Sequence, residues 1–511
     1  MTGIMQQFAP LRLELLCPVH IGTGETLDPL SYVMREEGGE PFLYYVDTTA
    51  WIEAQPDPAR LARDLDQATL PTIRGWLKDI DPTMYGTSRV KVVSTAIYDH
   101  YKDELSRQTS EHQLKISPAL RNPVTGGLLI PGSSLKGAMR TAVIDHLDDK
   151  YGLDLKGATR QGPQAYVERL EDALGPIDKN DFRNLRVGDF EARLDESALV
   201  TAKEVRRTYD PNKSPTPKND CEVALGRIMD QEGHDLYGRL LLGARGGGAA
   251  DAVFSLRRKK INETWSLQGF MDLVNAFYRQ RYIEEKAKFY GLAHLKHVAE
   301  ALKAVEDAIL NPGRGVMVLR VGHYSHVECV TVTDNAPFTR RIPDTGEFYP
   351  HGTTRTLAHG RYPFGWIRIV ECGMEEYEQG LRDKRAHDEA LLDDRRRKRL
   401  EALAKAEGEA RRREERRDRE QKELETEERR RAELEALPPD ERLVVLLEAG
   451  GLIENGAVQL YQRIDDLEEG LRTRAARGLK AFWQGRGKWE PNQCTKKQGQ
   501  KVAKIKSILG E

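Results

Sequence analysis

The chain has 511 residues, too many for one ordinary hydrophobic core, so two to four domains are the prior. Its 79 basic and 81 acidic residues leave a net charge of −2, which excludes a globally basic nucleic-acid binder and confines any polyanion surface to a local patch. The five cysteines are scattered without CxxC or Cys/His spacing, which argues against a structural zinc and against a disulfide framework. No apolar run approaches bilayer-spanning length and residues 1–10 lack a cationic-then-apolar leader, so a soluble cytoplasmic protein with no membrane partner is expected.

In chain order, Leu11, Leu13 and Leu15 alternate with Arg12 and Glu14, which predicts a strand with one buried face. The loop HIGTGE, residues 20–25, follows. Residues 31–35 and 41–46 flank EEGGE as a hairpin, with Asp47 placed to cap a short helix. Residues 55–85 read as helical, and residues 89–98 and 113–116 as strands. The apolar run 128–130 is ended by Pro131-Gly132. Ser133 and Ser134 are cap residue types, and Leu135, Met139, Val143 and Leu147 recur every four residues along one helix face to about residue 151. The segment is therefore strand, tight turn, helix. The opening amides of such a helix lack internal partners and carry partial positive charge. Lys136 and Arg140, four apart and off the apolar face, can converge on the same anion. The alternative is a capped helix with two solvated cations.

Further along, residues 156–163 read as a loop, 166–174 as a helix, 182–190 and 200–209 as strands, and 210–220 as a Pro/Lys/Asn-rich loop. GARGGG, residues 243–248, is a glycine-rich loop. Residues 267–308 are helical and rich in aromatics, and residues 316–322 form a buried strand leading to His323. Residues 375–437 are dominated by Arg and Glu without a sustained heptad seam. That composition predicts a long single helix or coiled coil, best read as a single helix zipped by pairs four apart. Pro438-Pro439 breaks it. Residues 438–511 read as a small basic helical unit in which Phe482, Trp483 and Trp489 alternate with cations. Those rings serve either to stack on bases or as the core of a tiny domain.

IPGSSLKGAMR, residues 130–140, resembles the IPGSSLKGAxR signature of the RAMP superfamily, whose members bind guide RNA in type III CRISPR effector complexes. Weaker matches follow in order. They are Gly22 and Gly24 in the first loop, LRVGD at residues 185–189 with Gly188 where the family has Ser, VLRVG at 318–322, and PFGWIRI at 363–369. Together they span residues 11–370 and are similar to the subunit that caps the 3′ end of the guide in type III-A (Csm) complexes. The resemblance implies an α+β chain with two ferredoxin-like (RRM-related) domains, residues 1–235 and 236–374, ahead of the long helix 375–437 and the helical unit 438–511. It implies a non-catalytic subunit without cofactor. Its partners would be crRNA, target RNA and other Csm/RAMP subunits, above all the adjacent backbone subunit. The implied RNA-binding residues are Ser133, Ser134, Lys136 and Arg140, then His20, Gly22 and Gly24, then Arg245, Gly246, Gly247 and Gly248.

Two alternatives stay open: a RAMP subunit at another position in a type III-B or III-D complex, and a crRNA-processing endoribonuclease using His20. General acid–base cleavage needs a second group within hydrogen-bond reach of the reacting atoms, and none is identifiable beside His20 in the sequence. His323 and His326 lack a carboxylate partner for a metal, and no GxxxxGK[ST] loop occurs.

Overall fold

The alternation at the start of the chain forms the strand Ile4–Leu15, with Leu11, Leu13 and Leu15 buried. The computed structural model describes residues 4–28, 31–78, 80–106, 114–207, 216–224, 236–245, 254–333, 345–346 and 352–511. Ile4–Leu15 is the middle strand of an antiparallel five-stranded sheet ordered Val316–Arg320, Trp366–Glu371, Ile4–Leu15, Leu236–Arg245, Arg186–Val187. Leu13 faces Leu236 on one side and Ile369 on the other, so strands from both expected halves share one sheet. The four-residue apolar repeat Leu135, Met139, Val143 and Leu147 lies on the helix Gly132–Tyr151 and is fully buried. It joins Phe270, Val274 and Tyr278 of the helix Leu267–Glu285, and Trp366 of the sheet, in one core. Each such side chain contributes about 1.5–3 kcal/mol by leaving water.

A second sheet starts from the predicted hairpin, Tyr32–Glu37 with Glu40–Val46, turned at Gly38 and Gly39. Gly86–Val92, Ser197–Arg206, Thr354–Ala358 and Tyr362–Pro363 continue it, and Thr216–Ala224 joins both Ser197–Arg206 and Ile116–Ser117. The architecture is mixed α+β. Three expectations are corrected. The strand read at residues 89–98 stops at Val92 and gives way to the helix Thr95–Ser106, because Ile97, Tyr101 and Glu104 bury at helical spacing. The loop read at residues 156–163 is the helix Leu155–Gln161, whose N-terminus Asp154 caps through the Gly157 amide (3.1 Å) while Leu155 and Ala158 are buried. Of the loop read at residues 210–220, residues 210–215 lie outside the described residues. The remainder begins the strand Thr216–Ala224, whose pairing satisfies a polar backbone.

The chain divides into two compact units, residues 1–402 and 403–511, and the long helix Met374–Ala436 contributes to both. In the first unit this helix is not free-standing. Arg12 pairs with Glu376 (2.7 Å), Lys384 with Glu191 (2.9 Å), and Asp388 Oδ1 accepts the Leu194 amide (2.8 Å). In the second unit it is exposed and zipped, as its composition predicts, by Arg416–Glu420, Arg429–Glu433 and Arg431–Glu435 at 2.8–3.0 Å. The remaining helices of the second unit are Pro439–Glu448, Glu454–Gln462, Glu469–Gln484 and Lys496–Leu509. They close over Val444, Leu460, Leu479 and Ile505. Trp483 and Trp489 are only 2% and 4% exposed, which decides the earlier alternative for them: both belong to the core. Among the described residues no helix is long and apolar enough to cross a membrane.

Candidate nucleic-acid interface

The first strand is followed directly by a pinned loop. The Leu16 and Cys17 amides both donate to the Trp366 carbonyl (3.0 Å each), so the chain leaves the sheet at a fixed place. The Leu120 amide donates to the Ile21 carbonyl (2.8 Å), and the His323 amide donates to the His20 carbonyl (2.8 Å). The last contact requires Gly322. Its φ is +93°, and an added Cβ would lie 2.5 Å from the His20 carbonyl oxygen. The glycine loops of residues 20–24 and 322–325 are thereby laced together.

His20 itself is 3% exposed. Its Nδ1 donates to the Glu222 carbonyl (2.7 Å), its Nε2 lies against Gly22, and its ring stacks on Tyr324 with centroids 5.9 Å apart. Burial holds the imidazole below its ordinary pKa, so it is neutral with the proton on Nδ1. Behind it, the Glu222 carboxylate pairs with Arg121 and accepts from Tyr45 Oη (2.8 Å) and the Ala119 amide (3.1 Å). His20 thus fixes the loop from within.

The signature helix begins differently from its sequence reading. Its cap position is Pro131, and neither Ser133 nor Ser134 serves as a cap. Asp189 performs that role from a distance, its Oδ1 accepting the Gly132 amide (2.7 Å). Gly132 is required by close approach, since a Cβ there would collide with the carbonyls of Val187 and Gly188. The LRVGD segment is therefore the platform on which the signature turn is seated, and one opening amide already has a carboxylate partner.

Beyond the turn the helix carries its cations. The Arg140 guanidinium stands 5.4 Å over the Phe182 ring. Burial lowers its pKa, and burial together with the neighbouring charges of Arg140 and Arg186 lowers that of Lys136. Among the described residues no carboxylate forms an ion pair with Lys136, Arg140 or Arg186. This contrasts with Arg320, whose guanidinium pairs with Glu285 (2.9 Å) and whose Nε donates to the Phe364 carbonyl (2.8 Å).

These segments enclose a cleft of about 770 Å³, lined by residues of the first glycine loop, the signature helix and the loop after Arg320. Of the predicted residues, His20, Gly22, Gly24, Ser134 and Arg140 line it. Ser133 is exposed and Lys136 half-buried on the same helix, outside the lining. Arg245 ends a sheet strand opposite Ile4, and Gly246, Gly247 and Gly248 lie outside the described residues. Tyr278, His323 and Tyr324 also line the cleft. Those three, Arg186 and Asp189 were missed as site residues, although Arg186 and Asp189 sit inside the recognisable LRVGD motif. Among the described residues no group of three or more His, Cys, Asp or Glu could hold a metal ion.

Residues 12–221 match the family model of the RAMP superfamily. The RAMP match takes in the His20 loop, the signature helix, the LRVGD platform and Glu222's neighbour Cys221, and it leaves the loop after Arg320 and the whole second unit outside. Among solved structures the chain is similar to a chain of the Csm–crRNA–target RNA ternary complex of a type III-A CRISPR-Cas system. That match has 17% identity and a TM-score of 0.44, over 71% of this chain and 100% of that one. It is also similar to Csm5 of T. onnurineus, at 17% identity and a TM-score of 0.40, over 70% of this chain and 99% of that one. No curated protein matches the sequence.

Proposed function

We propose that this chain is a structural, RNA-binding subunit of a type III CRISPR effector complex. It holds the 3′ part of the crRNA along the cleft and ends the filament of RAMP subunits. Its partners are the crRNA, the target RNA paired with it, and the adjacent backbone subunit. The reading includes the two ferredoxin-like domains meeting near residue 235 and a cytoplasmic location. The observation that carries it is the group Lys136, Arg140 and Arg186, neighbouring cations of which Arg140 lines the cleft, with no carboxylate among the described residues to pair them. A phosphate backbone supplies the counter-charge that the protein withholds, and its negative charge offsets the burial that lowers the pKa of Lys136 and Arg140. The position of His20 supports a structural role, because its ring is buried and its Nδ1 is committed to a backbone carbonyl.

The test is fluorescence anisotropy of the full chain with crRNA, comparing the parent with the variant Lys136→Ala, Arg140→Ala, Arg186→Ala. Loss of three phosphate contacts should weaken binding by roughly 30- to 100-fold and make the log–log salt slope shallower by about 2. Unchanged affinity and slope would remove the reading. Cleavage of a repeat-containing RNA by the chain alone, abolished by His20→Ala, would favour the endoribonuclease instead.

A further inference from the structure

The second unit carries a charge asymmetry that the RAMP match does not reach. Between residues 470 and 511 there are eleven Lys and Arg against two Glu. Several of these cations are neutralised within the unit. Arg474 pairs with Glu448 (2.7 Å), Lys488 and Arg486 share Glu454, Lys504 pairs with Asp465, and Lys480 with Glu511. Lys496, Lys497 and Lys501 have no ion pair among the described residues. They lie on the helix Lys496–Leu509, where Lys497, Lys501 and Lys504 follow at the spacing that places side chains on one face. Val502 and Ile505 point into the core, so the lysines are held outward on a folded support. The helix start is capped by Thr495, whose Oγ1 accepts the Gln498 amide, and its positive dipole end coincides with Lys496 and Lys497.

A cationic face can take a single strand or a duplex, and the aromatic rings decide between them. Single-strand binders combine cations with free rings on which bases stack. The second unit has four aromatic residues: Tyr461, Phe482, Trp483 and Trp489. Both tryptophans are buried. Lys501 and Lys504 stand 5.5 and 5.3 Å over the Tyr461 ring, and Arg486 stands 4.0 Å over Phe482. Every ring is thus buried or covered by the unit's own cations, so recognition through bases has no platform. In the adjoining part of the long helix, Arg416, Arg429 and Arg431 are matched by glutamates one turn on.

We infer that the helix Lys496–Leu509 is a docking face for the sugar-phosphate backbone of a nucleic-acid duplex, bound through Lys496, Lys497 and Lys501 without reading its sequence. The inference stands independently of the cleft.

The experiment uses the full chain carrying Lys136→Ala, Arg140→Ala and Arg186→Ala, so that binding at the cleft is suppressed. The probes are a fluorescent RNA duplex of unrelated sequence, a DNA duplex of the same sequence, and the corresponding single strand. Both duplexes should bind, and three phosphate contacts should cost roughly 40-fold in affinity between 50 and 200 mM salt. Adding Lys496→Ala, Lys497→Ala and Lys501→Ala should lower duplex affinity at least about tenfold at low salt and reduce the salt slope by about 2.7, while Lys→Arg at the same positions retains binding. The inference is overturned if the alanine variant keeps affinity and slope, or if the arginine variant loses binding as fully as the alanine variant. It is equally overturned if the single strand binds more tightly than the duplex, or if poly-glutamate of equal charge competes as well as RNA.

Discussion

In the first unit, Arg320 and Arg355 are buried around a shared carboxylate, Glu285, and Arg355 also reaches Glu328 (3.1 Å). In the second unit the core is apolar, and the ion pairs sit on its surface, as between Arg474 and Glu448. The first arrangement stakes local stability on a few charges, because a cation removed from water is tolerable only while its partner remains. The second separates the two tasks: hydrophobic contacts hold the helices, and charges are free to be paired with something outside. The same division runs through the candidate binding surfaces. The cleft needs loops from distant parts of the chain to stay laced together. The cationic face of the second unit needs only one helix to stay folded against its core.

The largest effect expected from this contrast is at Glu285. Glu285→Ala strands the buried Arg320 guanidinium, leaves Arg355 with Glu328 alone, and should cost about 3–5 kcal/mol. Glu448→Ala, which breaks an exposed pair, should cost less than about 1 kcal/mol. Urea denaturation of the two variants checks this, and similar small losses in both would erase the contrast.

A smaller effect is expected from pH. All twelve histidines precede residue 388, so the second unit has none. His359 adopts φ +53°, and its Nε2 is buried without a hydrogen-bond partner among the described residues. Burial first, then Lys203, lower its pKa from 6.5 to about 4. In the unfolded chain His359 takes a proton below 6.5, and in the folded chain only near 4. Its contribution to stability is therefore complete above pH 6.5 and lost as pH falls toward 4. His359→Asn, which tolerates positive φ, should flatten this part of the stability profile by about 3 kcal/mol. An unchanged profile would mean that the imidazole reaches water in the folded state.

The smallest effect, and the one of opposite sign, is at Gly137. It is exposed on the signature helix, it lines the cleft, and an added Cβ would meet nothing within 4 Å. Gly137→Ala should raise stability by about 0.5–1 kcal/mol through helix propensity. If crRNA lies against that wall, the same methyl should weaken its binding. A melt together with anisotropy measures both. A stabilised variant with undiminished affinity would place the RNA elsewhere in the cleft.

Several features were legible before any tertiary structure. The apolar repeat from Leu135 to Leu147, the alternation from Leu11 to Leu15, the Asp47 cap and the charge-zipped helix all follow from neighbours within about one turn or one pleat, where periodicity dominates. The signature turn was legible as a strand-to-helix turn, but its cap was not. Serine at the start of a helix is a sound local choice, yet Asp189, brought up by the LRVGD platform, occupies the Gly132 amide instead. The helix Leu155–Gln161 was missed because its cap, Asp154, and its buried Leu155 depend on packing that short-range composition does not express.

By itself the sequence determined the long periodic elements, which stretch resembles the RAMP signature, and that any polyanion surface must be local. Tertiary structure alone decided which cations are available. Lys384 is neutralised by Glu191, 193 residues away, and Glu222 is bound by Arg121 across 101 residues, whereas Lys136, Arg140 and Arg186 are gathered with no such partner among the described residues. Charge pairing acts over a few ångströms in space regardless of distance along the chain, so only the folded arrangement shows which charges remain for a ligand.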